Sequence, residues 1–213
     1  IPLLSVLIVA IRIPQIEREA FANLNAIARL NGEQIENWLN ERDADLKIIA
    51  DNTLFSKQLS KLARNDDPAL RQTISDELEA IRNTYGYYSI VLLDPNGQTI
   101  MESNEPGHKI SNSNAVLEHL PAARESAEVQ HSKLLLCDKG NPVMGFIAPV
   151  YLEVDQELII SGFIVGYAGL RQDTFPRIEQ WPTPSQSGES LLVQRDGDDV
   201  LYLSTLRHQE VPP

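Results

Sequence analysis

The chain of 213 residues has a single cysteine, Cys137. One thiol excludes an intrachain disulfide and a thiol-rich metal site, although it leaves an oxidising compartment open. Cys137 follows the apolar run Leu134-Leu135-Leu136, where a buried small hydrophobe is expected rather than a nucleophile. Histidine is scarce: His108, His119, His131 and His208 stand apart from one another and from Cys137, so no metal is expected. The nucleophile elbow, the P-loop and the dinucleotide fingerprint are missing, and no cofactor is expected. Basic residues are in deficit, with 18 Lys and Arg against 30 Asp and Glu, a net charge of −12. Such a surface repels phosphate backbones, which argues against nucleic acid as a partner, and it disfavours a broad face lying on anionic lipid. No apolar run reaches the ~20 residues of a full membrane helix.

The remaining acidic groups suggest no catalysis. Asp43 and Asp45 fall on different faces of a helix and cannot share a proton. Asp196-Gly197-Asp198-Asp199 lacks the distal Glu of a calcium loop and reads as a hairpin turn. A hydrolase is the enzyme alternative, but acid/base chemistry needs convergent groups that no spacing here reveals.

What is present begins at Ile1 to Ile13, IPLLSVLIVAIRI, with Arg12 as its one charge. This stretch is expected to be the end of a transmembrane helix, with Arg12 near the interface. The alternative is a buried core element. Pro14 is expected to interrupt, and residues 14–51 to form a long stalk helix. Its apolar stripe is Ile16, Ala20, Leu24, Ile27, Leu30, Ile35, Trp38, Leu39, Leu46 and Ile49, with charges opposite. A helix of about 55 Å at ~1.5 Å per residue outreaches one small domain. It suits a stalk that pairs with a second copy in a homodimer and then lies on a domain.

Asp66-Asp67-Pro68 can open a helix, with Pro68 in its first turn, carrying Leu70, Ile74, Leu78 and Ile81 and ending near Tyr85-Gly86. Tyr87 to Leu93 reads as a strand, Asp94-Pro95-Asn96-Gly97 as a turn and Gln98 to Ser103 as the returning strand. A polar loop follows to Ser113. Asn114 can cap a short helix, and Pro121 can begin another that runs to Ala127. Three strands, Val129–Cys137, Val143–Leu152 and Leu158–Leu170, are joined by turns at 138–141 and 153–156. Residues 182–188 read as a linker. Ser190 to Ser204 then repeats the first hairpin in outline, strand-Asp-turn-strand, which suggests a second copy of the domain. The fold class is α+β: a long N-terminal helix, then a five-stranded antiparallel sheet with flanking helices.

Three segments resemble the double Cache sensor domains of bacterial transmembrane receptors. Gln34-Ile35-Glu36-Asn37-Trp38-Leu39-Asn40-Glu41-Arg42 resembles the family's stalk-to-domain helix, where Ile-x-x-Trp-Leu-x-Glu-Arg is frequent. The hairpin around Asp94-Pro95-Asn96-Gly97 resembles the first hairpin of the membrane-distal, PAS-like unit. Glu189 to Leu203 resembles the opening of the membrane-proximal unit. The resemblance implies a membrane-distal sensor domain over 52–181 and the opening hairpin of a second unit over 189–213. It also implies membrane attachment through flanking helices, a place on the periplasmic side of the inner membrane, and a cytoplasmic output such as a histidine kinase or diguanylate cyclase. The family's amino-acid-binding subset carries a Tyr-Arg-Trp-Tyr constellation on a helix and the following strand, and this sequence departs from it.

A sensor pocket requires a sheet face, an apolar wall and a few polar groups to orient a small-molecule ligand. The candidates are Tyr88 on the first strand, Ser103 and Asn104 at the end of the second, Arg124 on the covering helix, and Tyr151 and Tyr167 on the last two strands. Each also has a plain reading, a strand tyrosine packed with its hydroxyl satisfied or a solvated helix charge. The expected role is ligand sensing without catalysis. The alternative is a ligand-free structural dimerisation module.

Overall fold

The computed structural model describes residues 2–65, 67–106, 114–170, 178 and 188–204, with the backbone alone for 2–9 and 196. The linker 182–188 apart from Gly188, the loop 107–113 with His108, and 205–213 with His208 lie outside the described residues.

Helix α1 runs Pro2–Ala50, 49 residues, or about 74 Å at ~1.5 Å per residue. The interruption expected at Pro14 does not occur, and the proline sits inside the helix. Proline removes one donor and crowds the carbonyl four residues back. A single lost rung in a long, cooperatively propagated ladder bends or weakens a helix without ending it. Arg18 Nε donates to the Pro14 carbonyl at 3.0 Å. Among the described residues no helix is long and apolar enough to cross a membrane.

The two halves of α1 have different surroundings. Ile11, Ile13, Ile16, Phe21, Leu24 and Leu30 are exposed, whereas Trp38, Leu46, Ile49 and Ala50 are buried. Contacts of Arg42 and Asp43 fasten the second half. The Arg42 guanidinium pairs with Asp45 at 3.0 Å, donates to the Tyr85 carbonyl and lies 5.5 Å from the Tyr87 ring centroid. His131 Nε2 stands 3.0 and 3.1 Å from the two Asp43 carboxylate oxygens, tying α1 to the sheet edge. The run from Ile35 to Arg42 thus supplies both the apolar anchor and the polar lock. Asp45 has its pKa raised, chiefly by burial, with Arg42 opposing and Glu41 adding to the rise.

A separate helix α2, Thr53–Arg64, follows α1, where the sequence reading has none. Asn52 caps it, its Oδ1 accepting from the Leu54 and Phe55 amides at 2.9 and 3.1 Å, and Phe55, Leu59 and Leu62 are buried along one face. Helix α3, Pro68–Tyr85, is capped by Asp67 and has the expected proline in its first turn. It ends at Gly86, whose φ of 70° closes the helix in the left-handed region.

Strands β1 (Tyr87–Leu93), β2 (Thr99–Asn104), β3 (Gln130–Leu136), β4 (Pro142–Val154) and β5 (Glu157–Gly169) form the expected antiparallel sheet. Their spatial order is β2-β1-β5-β4-β3. In the β1–β2 turn Asp94 Oδ1 accepts from the Asn96 and Gln98 amides, both at 2.8 Å. The β4–β5 turn places Asp155 and Gln156 at φ 52° and 67°, matching the twist of a two-residue hairpin. Two short helices, α4 (Asn114–Leu117) and α5 (Leu120–Ser126), lie between β2 and β3.

The sheet is covered on both faces. On one, Leu46, Phe55, Leu59, Ile74 and Leu78 of α1 to α3 pack with Ile90, Leu92, Phe146 and Ile164. On the other, Val116 and Ala123 of α4 and α5 pack with Leu93, Ile147, Phe163, Val165 and Tyr167.

Strands β6 (Val193–Asp196) and β7 (Asp199–Tyr202) form a separate two-stranded sheet, outside the five-stranded one as expected. Its packing is closer than a lone hairpin would suggest. Leu203 is buried in the main core, with Leu192 and Leu201 packed against it, and Asn31 of α1 donates to Ser190 at 3.2 Å.

Candidate functional site

The sheet face beneath α4 and α5 carries a row of polar groups set by strand register. Asn104 on β2 is opposite Ser89 on β1, Ser89 is opposite Tyr167 on β5, and Tyr167 is opposite Gly145 on β4. Directly paired residues in an antiparallel sheet share a face, so the row crosses four strands. Ser132 on β3 completes it: its Oγ accepts from the Gly145 amide at 2.9 Å and donates to the Lys133 carbonyl at 2.6 Å. Ser89, Ser132 and Tyr167 are buried, while Asn104 is exposed at the sheet edge.

Glycine at 145 determines how closely α4 approaches this row. A Cβ there would lie 2.3 Å from Val116 Cγ2 and 3.1 Å from Tyr167 Cε1. Burial pushes the Tyr167 phenol up to about 12, so the row presents neutral hydroxyl and amide groups at ordinary pH.

The structure divides the six residues singled out from the sequence. Asn104 and Tyr167 lie in the row. Tyr88 is on the same face, brought there by a register irregularity of β1 between Tyr87 and Ser89. It packs with Cys137 and Val143, and its ring occupies the space a Cβ on Gly169 would need, 2.2 Å away. Ser103 is opposite Ile90 on the other face, where its hydroxyl accepts from Arg82 Nε at 3.3 Å. Arg124 and Tyr151 meet at the α5 end. The Tyr151 hydroxyl donates to the Arg124 carbonyl at 3.2 Å. The Arg124 guanidinium donates to the Pro95 carbonyl and stands 5.6 Å from the Phe163 ring centroid.

Sequence reading missed Ser89, Ser132 and Gly145. Serines are common and a strand glycine is unremarkable. Only the register brings them together. Cys137 is buried, as its apolar setting suggested.

Tyr151 also lines an open groove of about 490 Å³ with Lys47, Ala50, Asp51, Glu153 and Leu158, where α1 gives way to α2. Lys47 crosses it, donating to the Ala127 carbonyl at 3.2 Å and pairing with Asp51 at 3.4 Å. Among the described residues no three His, Cys, Asp or Glu side chains converge to hold a metal.

The strand order, with a long helix docked on one face and short helices on the other, is an α+β architecture that is similar to solved sensory domains. The sensory domain of the Campylobacter jejuni chemoreceptor Tlp3 has this fold, with a TM-score of 0.56 at 11% identity, over 79% of this chain and 68% of that one. The same domain with isoleucine bound gives a TM-score of 0.55 at 11% identity, over 79% and 66%. Its complex with L-norvaline gives 0.54 at 12%, over 78% and 64%. The chain thus spans about two thirds of those domains, and at such identities the likeness is one of fold. No protein-family profile matches the sequence, and no curated protein matches it.

Proposed function

We propose that this chain is the extracytoplasmic small-molecule sensing module of a transmembrane signalling receptor, on the periplasmic side of the inner membrane. The ligand site is assigned to the α4–α5 face, over the row Asn104, Ser89, Tyr167 and Gly145. The observation that carries the reading is the five-stranded sheet with α1 docked along it, a fold similar to that of the Tlp3 sensory domain. The exposed half of α1 serves as a stalk, and the output domain lies in the cytoplasm, of histidine kinase or diguanylate cyclase type. The isoleucine and norvaline of the Tlp3 complexes make amino acids one class to test, beside small carboxylates, amines and sugars. Thermal unfolding against such a panel tests the proposal. A specific ligand at 100 times its Kd adds ~2.7 kcal/mol of stability, and the gain should shrink in Tyr167→Phe.

A ligand-free dimerisation module is the second reading. It is favoured by the α4–α5 face being filled with the buried side chains of Val116, Ile147 and Phe163, and by the exposed apolar residues of α1. A panel without a single stabilising compound, combined with a dimer that depends on α1, would decide for it.

A further inference from the structure

Strand β3 is an edge strand, and its register with β4 shifts between His131 and Leu134. An edge leaves backbone donors and acceptors without a neighbouring strand. At Leu134 the primary amide of Gln194, from β6, meets both groups. The Leu134 amide donates to Gln194 Oε1 at 3.0 Å, and Gln194 Nε2 donates to the Leu134 carbonyl at 3.4 Å. A carboxamide offers one acceptor and a donor side by side, as a peptide unit does. Gln194 therefore continues the main sheet by one peptide-like rung. Its cross-strand partner Leu201 packs against the main core.

The same short segment of β3 reaches the candidate site. Ser132 lies within the irregularity and accepts from the Gly145 amide beneath α4. Leu135 packs on the cluster holding Tyr88 and on the one holding Tyr167. Residues 132–135 are thus held from the site by Ser132 and Leu135, and from the second hairpin by Gln194. The hairpin is closed by the Leu203 amide donating to the Leu192 carbonyl at 2.9 Å.

We propose that Gln194 is a positioning residue for the candidate site: it sets the irregular turn of β3 that presents Ser132 to Gly145, and it couples the state of that site to the β6–β7 hairpin. The functional part of this inference rests on the sensing assignment of the α4–α5 face. The coupling itself needs no ligand to be measured.

The test is amide hydrogen exchange on the full chain in wild type, Gln194→Leu, Gln194→Glu, Ser132→Ala and the Gln194→Leu/Ser132→Ala double variant. In Gln194→Leu the Leu134 amide loses its acceptor and should exchange roughly tenfold faster. Gln194→Glu keeps an acceptor and should hold that amide near its wild-type rate. Ser132→Ala should speed exchange at the Leu203 amide when Gln194 is present and leave it unmoved in the Gln194→Leu background. Equal responses of Leu203 in both backgrounds, or none in either, overturn the proposal. Should Gln194→Leu fail to fold, Gln194→Ala removes the same amide with less apolar surface and replaces it. A ligand panel without hits would end the sensing reading and leave this coupling intact. An absent coupling would leave any ligand hit standing.

Discussion

The indole of Trp38 meets the ring of Phe146 edge-on, with centroids 5.5 Å apart and planes at 71°. His131 meets the same Phe146 ring at 5.4 Å while holding Asp43 of α1. One aromatic side chain of β4 thus receives the long helix directly and also through β3. Trp38→Ala should cost about 3–5 kcal/mol in urea-induced unfolding, the usual penalty for emptying an aromatic site in a core. A loss below about 1 kcal/mol would show that α1 docks without it.

Two glycines should respond in opposite directions. Gly145→Ala places a methyl 2.3 Å from Val116 Cγ2, and overpacking of this kind destabilises by about 1–3 kcal/mol. Adding Val116→Ala should recover part of the loss. At Gly32 nothing lies within 4 Å of an added Cβ, and the position is inside a helix. Gly32→Ala should therefore stabilise by about 1 kcal/mol. Equilibrium unfolding of the three variants checks both signs.

The phenol of Tyr167 is raised to about 12 by burial. The folded chain keeps this proton where the unfolded chain, with a value of ~10, has lost it. Its contribution to stability is therefore full below pH ~10 and is lost as pH rises from there through about 12. Phenolate absorbance should show a late-titrating step that disappears in Tyr167→Phe. Tyr87 is also pushed up, chiefly by burial and against the pull of Arg42, so the difference between wild type and variant isolates Tyr167. Loss of no late step in Tyr167→Phe would place that ring in water.

Ile16 and Leu24 are 61% and 48% exposed on α1. Apolar area of this kind is normally removed from water by association. The expected assembly is a parallel homodimer along this half of the helix, since both copies leave one membrane in the proposed receptor. Leu24→Glu with Ile27→Glu should dissociate it in sedimentation while circular dichroism of the sheet is retained. A wild-type chain that stays monomeric at high concentration, or a variant that unfolds, would refute the stalk dimer.

Much of the fold was legible because its signals are local. Asp67-Pro68 and Gly86 bound α3 within a residue or so of the reading, since caps act through the nearest backbone groups. Asp94-Pro95-Asn96-Gly97 set the first hairpin for the same reason. Helix α2 has a local signal as well: Asn52 with Phe55, Leu59 and Leu62 is a cap followed by helical spacing. Pro14 does not act as a breaker because a long helix continues on either side of it.

The sequence by itself determined that this chain is acidic, has one buried thiol, and builds a long helix, a five-stranded sheet and a second hairpin. These follow from composition and from patterns spanning a few residues. Only the tertiary structure decided that Asn104 and Tyr167 share a face while Ser103, next to Asn104, looks the other way toward Arg82. The same holds for Gln194 reaching 60 residues back to Leu134. Side chains alternate along a strand, so a shift of one residue in register reverses every assignment. Register is fixed by pairing between distant segments and by irregularities such as that at Tyr87 and Ser89, which no local pattern in the sequence records.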